Sequence, residues 1–586
     1  MADPQQVLSD RVRAAIVASF GPDFADADPL IRPSSFADFQ ANVALPLGKR
    51  LGRPPREVAG ELAGHLNVSD VCEPPEVSGP GFINFRLRDD WIAAQASRML
   101  DDPRLGLEPA ASPQTVVVEY SSPNIAKEMH VGHLRTTIVG DAIARVLEFA
   151  GHHVIRDNHV GDWGTPFGML IEHLIDVGED SAEADLLRTD PNAFYQAARR
   201  TFDSDPVFAE RARNRVVELQ GGDPATLKLW HELVEMSKDY LHRIYGRLGV
   251  TLTDADIRGE SFYNDLLADT AAVLEEKGLA VYSDGALCVF PPGFTGREGR
   301  PLPVIIRKRD GGYNYSTTDL ATIRYRVDDL HCDRAIYVVG SDQTLHFRMI
   351  FAVAREAGWI PPGAVFEHAQ IGLVLGTDGG RLRTRSGDNV QLSDLLQEAV
   401  DRARGILTEL EAPARFEPTE LDAIAETVGI GAVKYADLST ARESAYVFDW
   451  DRMISFRGNT GPYLQYATAR IRSIFRRAGA LPTTGADPDI RGSQVAVTAP
   501  PERALALRLL DFGAVVAGVG ETAEPHRLCA YLFDVASLFT TFYEECPVLK
   551  AEPQSLRARR LALCALTLRV LTAGLGLLGV PVPEQM

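Results

Sequence analysis

Apolar positions in the first twenty residues recur with a helical period. Val7, Val12, Ile16 and Val17 fall near one face and predict an amphipathic helix. Gly79-Pro80-Gly81 followed by Phe82-Ile83-Asn84-Phe85 predicts a turn entering a strand. The stretch Asp101 to Pro113, rich in Pro, Ala and Asp, has linker composition and sets a boundary near residue 110. Next comes Thr115-Val116-Val117-Val118-Glu119-Tyr120, a continuous β-branched run of the kind buried on both faces of a parallel sheet. Leu134, Ile138, Ala142, Val146 and Phe149 then repeat at helical spacing, predicting a helix over 133–150 that Gly151 ends. Val154-Ile155 opens another strand, which completes a βαβ unit.

The alternation resumes with expected strands at Val304–Ile306, Ala335–Val339 and Ala369–Val374, and a helix over 345–357 between the last two. Strands separated by helices predict a doubly wound parallel sheet, hence an α/β fold. The mostly helical, charged stretch between them reads as an insertion into the sheet domain. From Leu392 onward helical patterns dominate, including Tyr463–Ala478 ending at Gly479 and Leu556–Gly574, with a loop over Leu481–Pro501.

A chain of 586 residues exceeds one domain several-fold, and 45% hydrophobic with 24% charged residues is ordinary globular composition. The net charge of -20 excludes coating of nucleic acid by bulk charge, but it is uneven. Residues 456–586 carry 14 Lys+Arg against 11 Asp+Glu, a net +3, which leaves -23 on the first 455 and makes the C-terminal part the expected polyanion partner. The six cysteines form no CxxC pair or zinc-spaced cluster, so reduced thiols and no structural metal are expected. The N-terminus lacks an apolar signal core, and Val570–Val582 is too short and too broken to span a bilayer, so the expected compartment is the cytoplasm, with no membrane partner.

The most informative segment is Glu119-Tyr120-Ser121-Ser122-Pro123-Asn124-Ile125-Ala126-Lys127-Glu128-Met129-His130-Val131-Gly132-His133. It lies where the first strand hands over to the first helix, the edge at which open α/β sheets bind ligands and helix-start amides favour phosphate. Two imidazoles flanking Gly132 suit donation to an α-phosphate as it becomes pentacoordinate, and the glycine suits close approach of a base or sugar. Asn158–Gly168 follows the second strand, and its glycines suit equally a pocket rim or a plain turn with a buried Trp163. In Tyr313–Asp319, Thr318 or Asp319 suits an N-cap, while Tyr315 with Asp319 suits a cationic side chain. Gln343 in Ser341–Phe347 reads as a helix-start residue or a ligand contact. Arg381, Arg383 and Arg385 alternate in a loop that suits either closure over polyphosphate or a solvated turn. Tyr463, Tyr466, Arg470 and Arg477, with Arg472 and Arg476 nearby, suit phosphate contact and base stacking, or a simple surface and core.

Taken in order, EYSSPNIAKEMHVGHLR, NHVGDWGTPFG, YNYSTTDLA, GSDQTLHF, TRSGDNVQLSDLL, FRGNTGPYLQYATARIRSI and the terminal LLGVPVPEQM resemble the bacterial-type arginyl-tRNA synthetases, class I enzymes, over essentially the whole chain. The resemblance implies a Rossmann-like catalytic domain over 111–390 with a helical insertion at about 169–300, and an N-terminal α+β domain over 1–110 that touches the tRNA elbow. It further implies a helical linking region over 391–455 and an all-α anticodon-binding domain over 456–586. The implied reaction is ATP-dependent activation of L-arginine and its transfer to the 3′ end of tRNA(Arg), with Mg2+ accompanying ATP, by an expected monomer.

Carried over residue by residue, the resemblance assigns His130, Gly132 and His133 to ATP. Glu119, Ser121, Ser122, Asn124, His133, Tyr315, Asp319 and Gln343 go to arginine, and Tyr463, Tyr466, Arg470 and Arg477 to tRNA; no residue is assigned to a metal. At the site of the family's KMSKS signature the chain has Thr384, Arg385 and Ser386 and no lysine. Lys127 is therefore the implied charge on the pyrophosphate side and the third catalytic residue with His130 and His133. Arg385 is a lesser candidate. The resemblance also implies that activation waits for bound tRNA. A synthetase acting on another cationic substrate, or a silent tRNA-binding scaffold, are the competing expectations.

Overall fold

The structure is a computed structural model that describes residues 3–125, 128–296, 299–309, 311–380, 382, 390–409, 415–479 and 494–586. The first helix, Pro4–Phe20, buries Leu8, Val12, Ala15 and Ile16, the face expected from the sequence shifted by one position. It packs with helices Ala44–Leu51 and Pro55–His65 against strands β1 (Ile31–Pro33), β2 (Phe39–Ala41), β3 (Glu76–Ser78) and β4 (Phe82–Phe85), all antiparallel in the order β1-β2-β4-β3. The predicted turn into Phe82 is present, with Gly79 and Gly81 both at positive φ.

After helix Asp89–Asp101 the linker stretch is irregular, yet it buries Leu105 and Leu107. It docks on the C-terminal helices, where Arg569 donates to the carbonyls of Leu100 and Asp102. At the start of helix Asp89–Asp101, Arg503 donates to Asp89 at 2.7 Å and also grips both carboxylate oxygens of Asp38, at 2.8 and 2.7 Å.

The central strands are β5 (Thr115–Glu119) and β6 (His153–Asp157). The insertion then supplies β7 (Ala280–Ser283) and β8 (Ala286–Val289), and β9 (Val304–Arg307) follows it. The chain returns through β10 (Arg334–Tyr337), β11 (Val365–His368) and the two-residue strands β12 (Val374–Leu375) and β13 (Tyr446–Val447). The parallel sheet has the order β11-β10-β5-β6. The direction of winding reverses between β5 and β10, which places a crevice at their carboxyl ends. Val116 and Val118 join one buried cluster and Val117 the other, as expected for a strand covered on both faces.

Two strand expectations are corrected. Val304–Ile306 forms a strand, but β9 pairs antiparallel with β8 in a separate sheet ordered β7-β8-β9. The outer parallel strand is β11, four residues before the expected Ala369–Val374. That apolar run leaves the sheet after Ala369 and Ile371 have donated to Tyr337 and Val339.

Helix Val131–Ala150 lies directly on β5, and Gly151 closes it in the left-handed conformation. At Gly140 this helix crosses so near Tyr120 that a Cβ would overlap that side chain. Gly140→Ala should therefore lift the helix and cost about 1–3 kcal/mol of stability. A calorimetric midpoint within a degree of the parent would refute the close approach.

Among the described residues from 390 onward, the regular structure is helical apart from β13. Among the described residues one helix, Gln554–Leu577, is long and apolar enough to cross a membrane by length and composition, more than the Val570–Val582 stretch suggested; 61% of its apolar window is buried in the molecule. It packs against helices Asp89–Asp101, Gly461–Ala478 and His526–Glu545, the environment of a core helix.

Candidate active site

The carboxyl end of β5 is an unusual piece of backbone. Ser121 and Ser122 both take positive φ, 70° and 45°, a conformation that costs a non-glycine residue roughly 1–2 kcal/mol. Neighbours from three elements hold it. Ser122 N–H donates to Asn158 Oδ1 at 3.0 Å, and Ser121 Oγ lies 2.7 Å from the Tyr245 hydroxyl and 2.9 Å from that of Thr137. Tyr245 also accepts from Asn158 Nδ2 at 3.0 Å. It belongs to the long insertion helix Pro224–Leu248, so the insertion buttresses the strand end from below.

His130 is the N-cap of helix Val131–Ala150. Its Nδ1 accepts from Gly132 N–H at 3.0 Å, while His133 Nδ1 accepts from His130 N–H at 3.1 Å. With both Nδ1 atoms accepting, each neutral ring carries its proton on Nε2. The rings pack together, centroids 4.0 Å apart. Gly132 has a further reason to be glycine, since a Cβ there would meet the His130 ring at 2.7 Å. Both histidines line an open cleft with Ser122, Thr136, Gly340 and Gly372.

One turn on, buried Arg135 ties this helix to the far wall. It donates to the carbonyls of Gly372 and Ser444 at 2.9 and 2.8 Å and to Asp437 Oδ1 at 2.9 Å. The strand preceding the arginine-rich loop and the linking helix Pro418–Leu438 are thereby fixed to the histidine helix. Beyond that loop, Val131 N–H donates to Val390 O and Leu392 N–H to Met129 O. Lys127, Arg381, Arg383, Thr384, Arg385 and Ser386 lie outside the described residues.

A second set of groups gathers around the start of helix Tyr315–Asp328. Helix Tyr315–Asp328 starts earlier than the capping expectation placed it. Its N-cap is Asn314, whose side chain accepts from Ser316 N–H at 3.1 Å, so Thr318 and Asp319 sit a turn inside and have no capping role. Tyr315 and Asp319 consequently share a helix face. Asp319 Oδ2 is 2.5 Å from His346 Nε2, and the His346 ring lies 4.9 Å from that of exposed Tyr315. Gln343 is half-buried at the N-cap of helix Thr344–Glu356 and makes no side-chain capping bond.

Glu260 completes the group. Burial pushes its carboxyl up to about 7, Asp162 and Asp319 push the same way, and His159 opposes. Nearby, Ser261 donates to both oxygens of Asp162 through its amide and hydroxyl, at 2.9 and 2.5 Å. A Cβ on Gly259 would overlap that carboxylate.

Glu119, expected to face a substrate guanidinium, already has a cationic partner within the chain. Its carboxylate is buried and 2.5 Å from the chain's own Arg326, which also reaches Asp157 at 2.9 Å and lies over the Tyr337 ring. A side chain at the end of a central strand is covered by the helix packed there. Ser121 and Ser122 do line the cleft, whereas Asn124 is exposed and its backbone is bridged to Gly161. Sequence reading missed His346, which stood unassigned inside the GSDQTLHF segment, and Glu260 and Arg135, for which no local signal exists.

On helix Gly461–Ala478 the four arginines divide. Arg472 and Arg476 donate to the terminal segment, at Pro583 O and Glu584 O. Arg470 lies 4.7 Å over the Tyr543 ring, and Arg477 is exposed. Tyr466 is exposed and Tyr463 is half-buried against Phe533.

Three family models match the chain: the arginyl tRNA synthetase N terminal domain over residues 6–87, the catalytic domain of class I (R) tRNA synthetases over 96–450, and the DALR anticodon binding domain over 464–586. The arginine–tRNA ligase of Thermobifida fusca is 63% identical over 586 residues, covering all of both chains. Among solved structures, the arginyl-tRNA synthetase of Plasmodium falciparum superposes with a TM-score of 0.83 at 28% identity over 100% of both chains. That of Thermus thermophilus gives 0.78 at 26%, covering 99% of this chain and 100% of its own. Three consecutive domain matches and full-length identity of this order lead to one conclusion: the chain belongs to the arginyl-tRNA synthetase family.

Proposed function

We propose that the cleft at the switch point of the sheet is where this arginine–tRNA ligase forms arginyl-adenylate, with the histidine pair on ATP and the acidic group beside it on arginine. The observation that carries this reading is the hydrogen bonding of the pair. Two backbone N–H groups occupy the Nδ1 atoms, so both rings offer Nε2–H donors at the start of a helix. Arginine's carboxylate oxygen attacks the α-phosphorus of ATP, the bond to pyrophosphate breaks, and negative charge grows on the equatorial oxygens that those donors stabilise. A ribose hydroxyl of the tRNA terminus then attacks the adenylate carbonyl and AMP leaves.

Lys127, Thr384, Arg385 and Ser386 carry over as the pyrophosphate-side groups. Magnesium enters with the polyphosphate it neutralises; among the described residues no cluster of three or more His, Cys, Asp or Glu side chains is arranged to hold a metal. Tyr463, Tyr466, Arg470 and Arg477 remain the proposed tRNA contacts, and the unit boundaries near 110, 390 and 455 the proposed domain limits. The protein is further proposed to act as a monomer in the cytoplasm, where both ATP and tRNA occur.

On the arginine side, Asp319 and Tyr315 meet the guanidinium with Glu260 as a second anion, and Ser121, Ser122, Asn124 and Gln343 serve the amino acid's polar ends. A carboxyl held near 7 is largely protonated in slightly acid solution and must ionise to pair with a guanidinium. Arginine affinity should therefore rise with pH through about 7 and level off above it, with release of a proton on binding. Calorimetry in buffers of different ionisation heat checks this, and Glu260→Gln should abolish the proton release. Arginine-dependent ATP–pyrophosphate exchange, run with and without tRNA and with lysine and citrulline as controls, tests the whole reading. Exchange with arginine alone, requiring tRNA, is the expected result, whereas tRNA binding without any exchange would overturn it.

A further inference from the structure

We propose that His346 is a positioning residue for the substrate's guanidinium group, acting through Asp319; this rests on the reading of Asp319 as the carboxylate that takes that group. Helix Thr344–Glu356 packs against helix Tyr315–Asp328 and sets the His346 ring between Tyr315 and Phe347, 4.9 and 5.4 Å from their centroids. From there Nε2 meets Asp319 Oδ2 at 2.5 Å, with the two side chains only 16% and 20% exposed.

A carboxylate's terminal torsion is broad when nothing holds it. A hydrogen bond to one oxygen of an anion is stronger than a neutral one and selects one orientation. The ordering cost is then met before arginine arrives, and the second oxygen is presented in a fixed direction. The same ring backs Tyr315, one helical turn away on the same face, so a single side chain orients both guanidinium-facing groups.

The choice of imidazole has a physical reason. Lysine or arginine at this position would bring a permanent charge that cancels Asp319 and competes with the substrate. An imidazole donating through Nε2–H brings no permanent charge of that kind and leaves the carboxylate's charge for the guanidinium.

The test is tRNA-supported ATP–pyrophosphate exchange with His346→Ala, His346→Gln and Asp319→Asn, measured against both substrates. His346→Ala should raise the arginine KM about tenfold, with kcat and the ATP KM within about twofold. His346→Gln, whose amide nitrogen reaches the place of the imidazole Nε2, should recover most of the loss. Asp319→Asn should raise the arginine KM by about a hundredfold or more. An unchanged arginine KM in His346→Ala beside a raised one in Asp319→Asn overturns the inference and leaves the pocket standing. An unchanged KM in Asp319→Asn overturns the pocket reading itself. If His346→Ala loses kcat and both KM values together with a lowered melting temperature, or if glutamine fails to rescue, the residue is only structural and the inference falls.

Discussion

His133→Ala should lower arginine-dependent ATP–pyrophosphate exchange by about 10²–10³-fold, the usual cost of deleting one preorganised donor to developing charge. Its tRNA dissociation constant should stay within twofold, because the proposed tRNA contacts lie on the C-terminal helices. Part of the loss has a second source. His133 Nδ1 accepts the His130 amide at 3.1 Å, and losing a capping bond of this kind costs about 1 kcal/mol. His133→Asn separates the two, since its side-chain oxygen can take the same amide while the Nε2–H donor is gone. A slow but fully stable His133→Asn enzyme assigns the loss to phosphate stabilisation; wild-type exchange in that variant assigns it to the cap. The rings pack in a tilted pair with centroids 4.0 Å apart, so the His130→Ala and His133→Ala effects should combine far from additively. A matching loss of tRNA affinity would mean the site is misplaced.

Much of this arrangement was legible because short-range physics dictates it. Val116, Val117 and Val118 read as a strand covered on both faces, and the helix after it was bounded by its own glycine cap at Gly151. The histidine motif fell at the strand-to-helix junction, and that junction is where ligands bind. Pairing partners were another matter. The apolar alternation of Val304–Ile306 is the same for a parallel and an antiparallel neighbour, and only the hairpin β7-β8 decides between them. Ala369–Val374 is apolar because it extends along β10 and then lines the cleft, so its hydrophobicity overstated the strand.

The acidic group illustrates the deeper limit. Residues 162, 260, 319 and 346 come from four separate stretches, and Glu260 lies within the insertion, after its long helix Pro224–Leu248. Periodicity carries no information on such a meeting. The partner of Glu119 was hidden for the same reason. Arg326 lies 207 positions away and reaches it only once β5 and the helix Tyr315–Asp328 have packed. A carboxylate at the end of a strand looked unpartnered, and the fold gives it a cation of its own.

That ion cluster carries the second large effect. Arg326→Met should destabilise the protein by about 3–5 kcal/mol, because removing one member of a buried ionic group leaves its partners charged and unpaired. Here two carboxylates, Glu119 and Asp157, lose the same guanidinium. The pH dependence has a definite sign. Burial already holds the Glu119 carboxyl above its ordinary value while Arg326 pulls it down, so deleting Arg326 raises it further. A carboxyl raised in the folded state binds more protons folded than unfolded, and its contribution is kept in acid and lost as pH rises through the folded value. The deficit of Arg326→Met should therefore shrink as pH falls toward 5 and be largest above neutrality. Urea unfolding followed by tryptophan fluorescence across that range measures it. Adding Glu119→Gln to Arg326→Met should recover part of the loss by removing one of the stranded charges. A deficit under about 1 kcal/mol, or one independent of pH, would show that these carboxylates find other partners and that Arg326 is not what holds the floor of the site together.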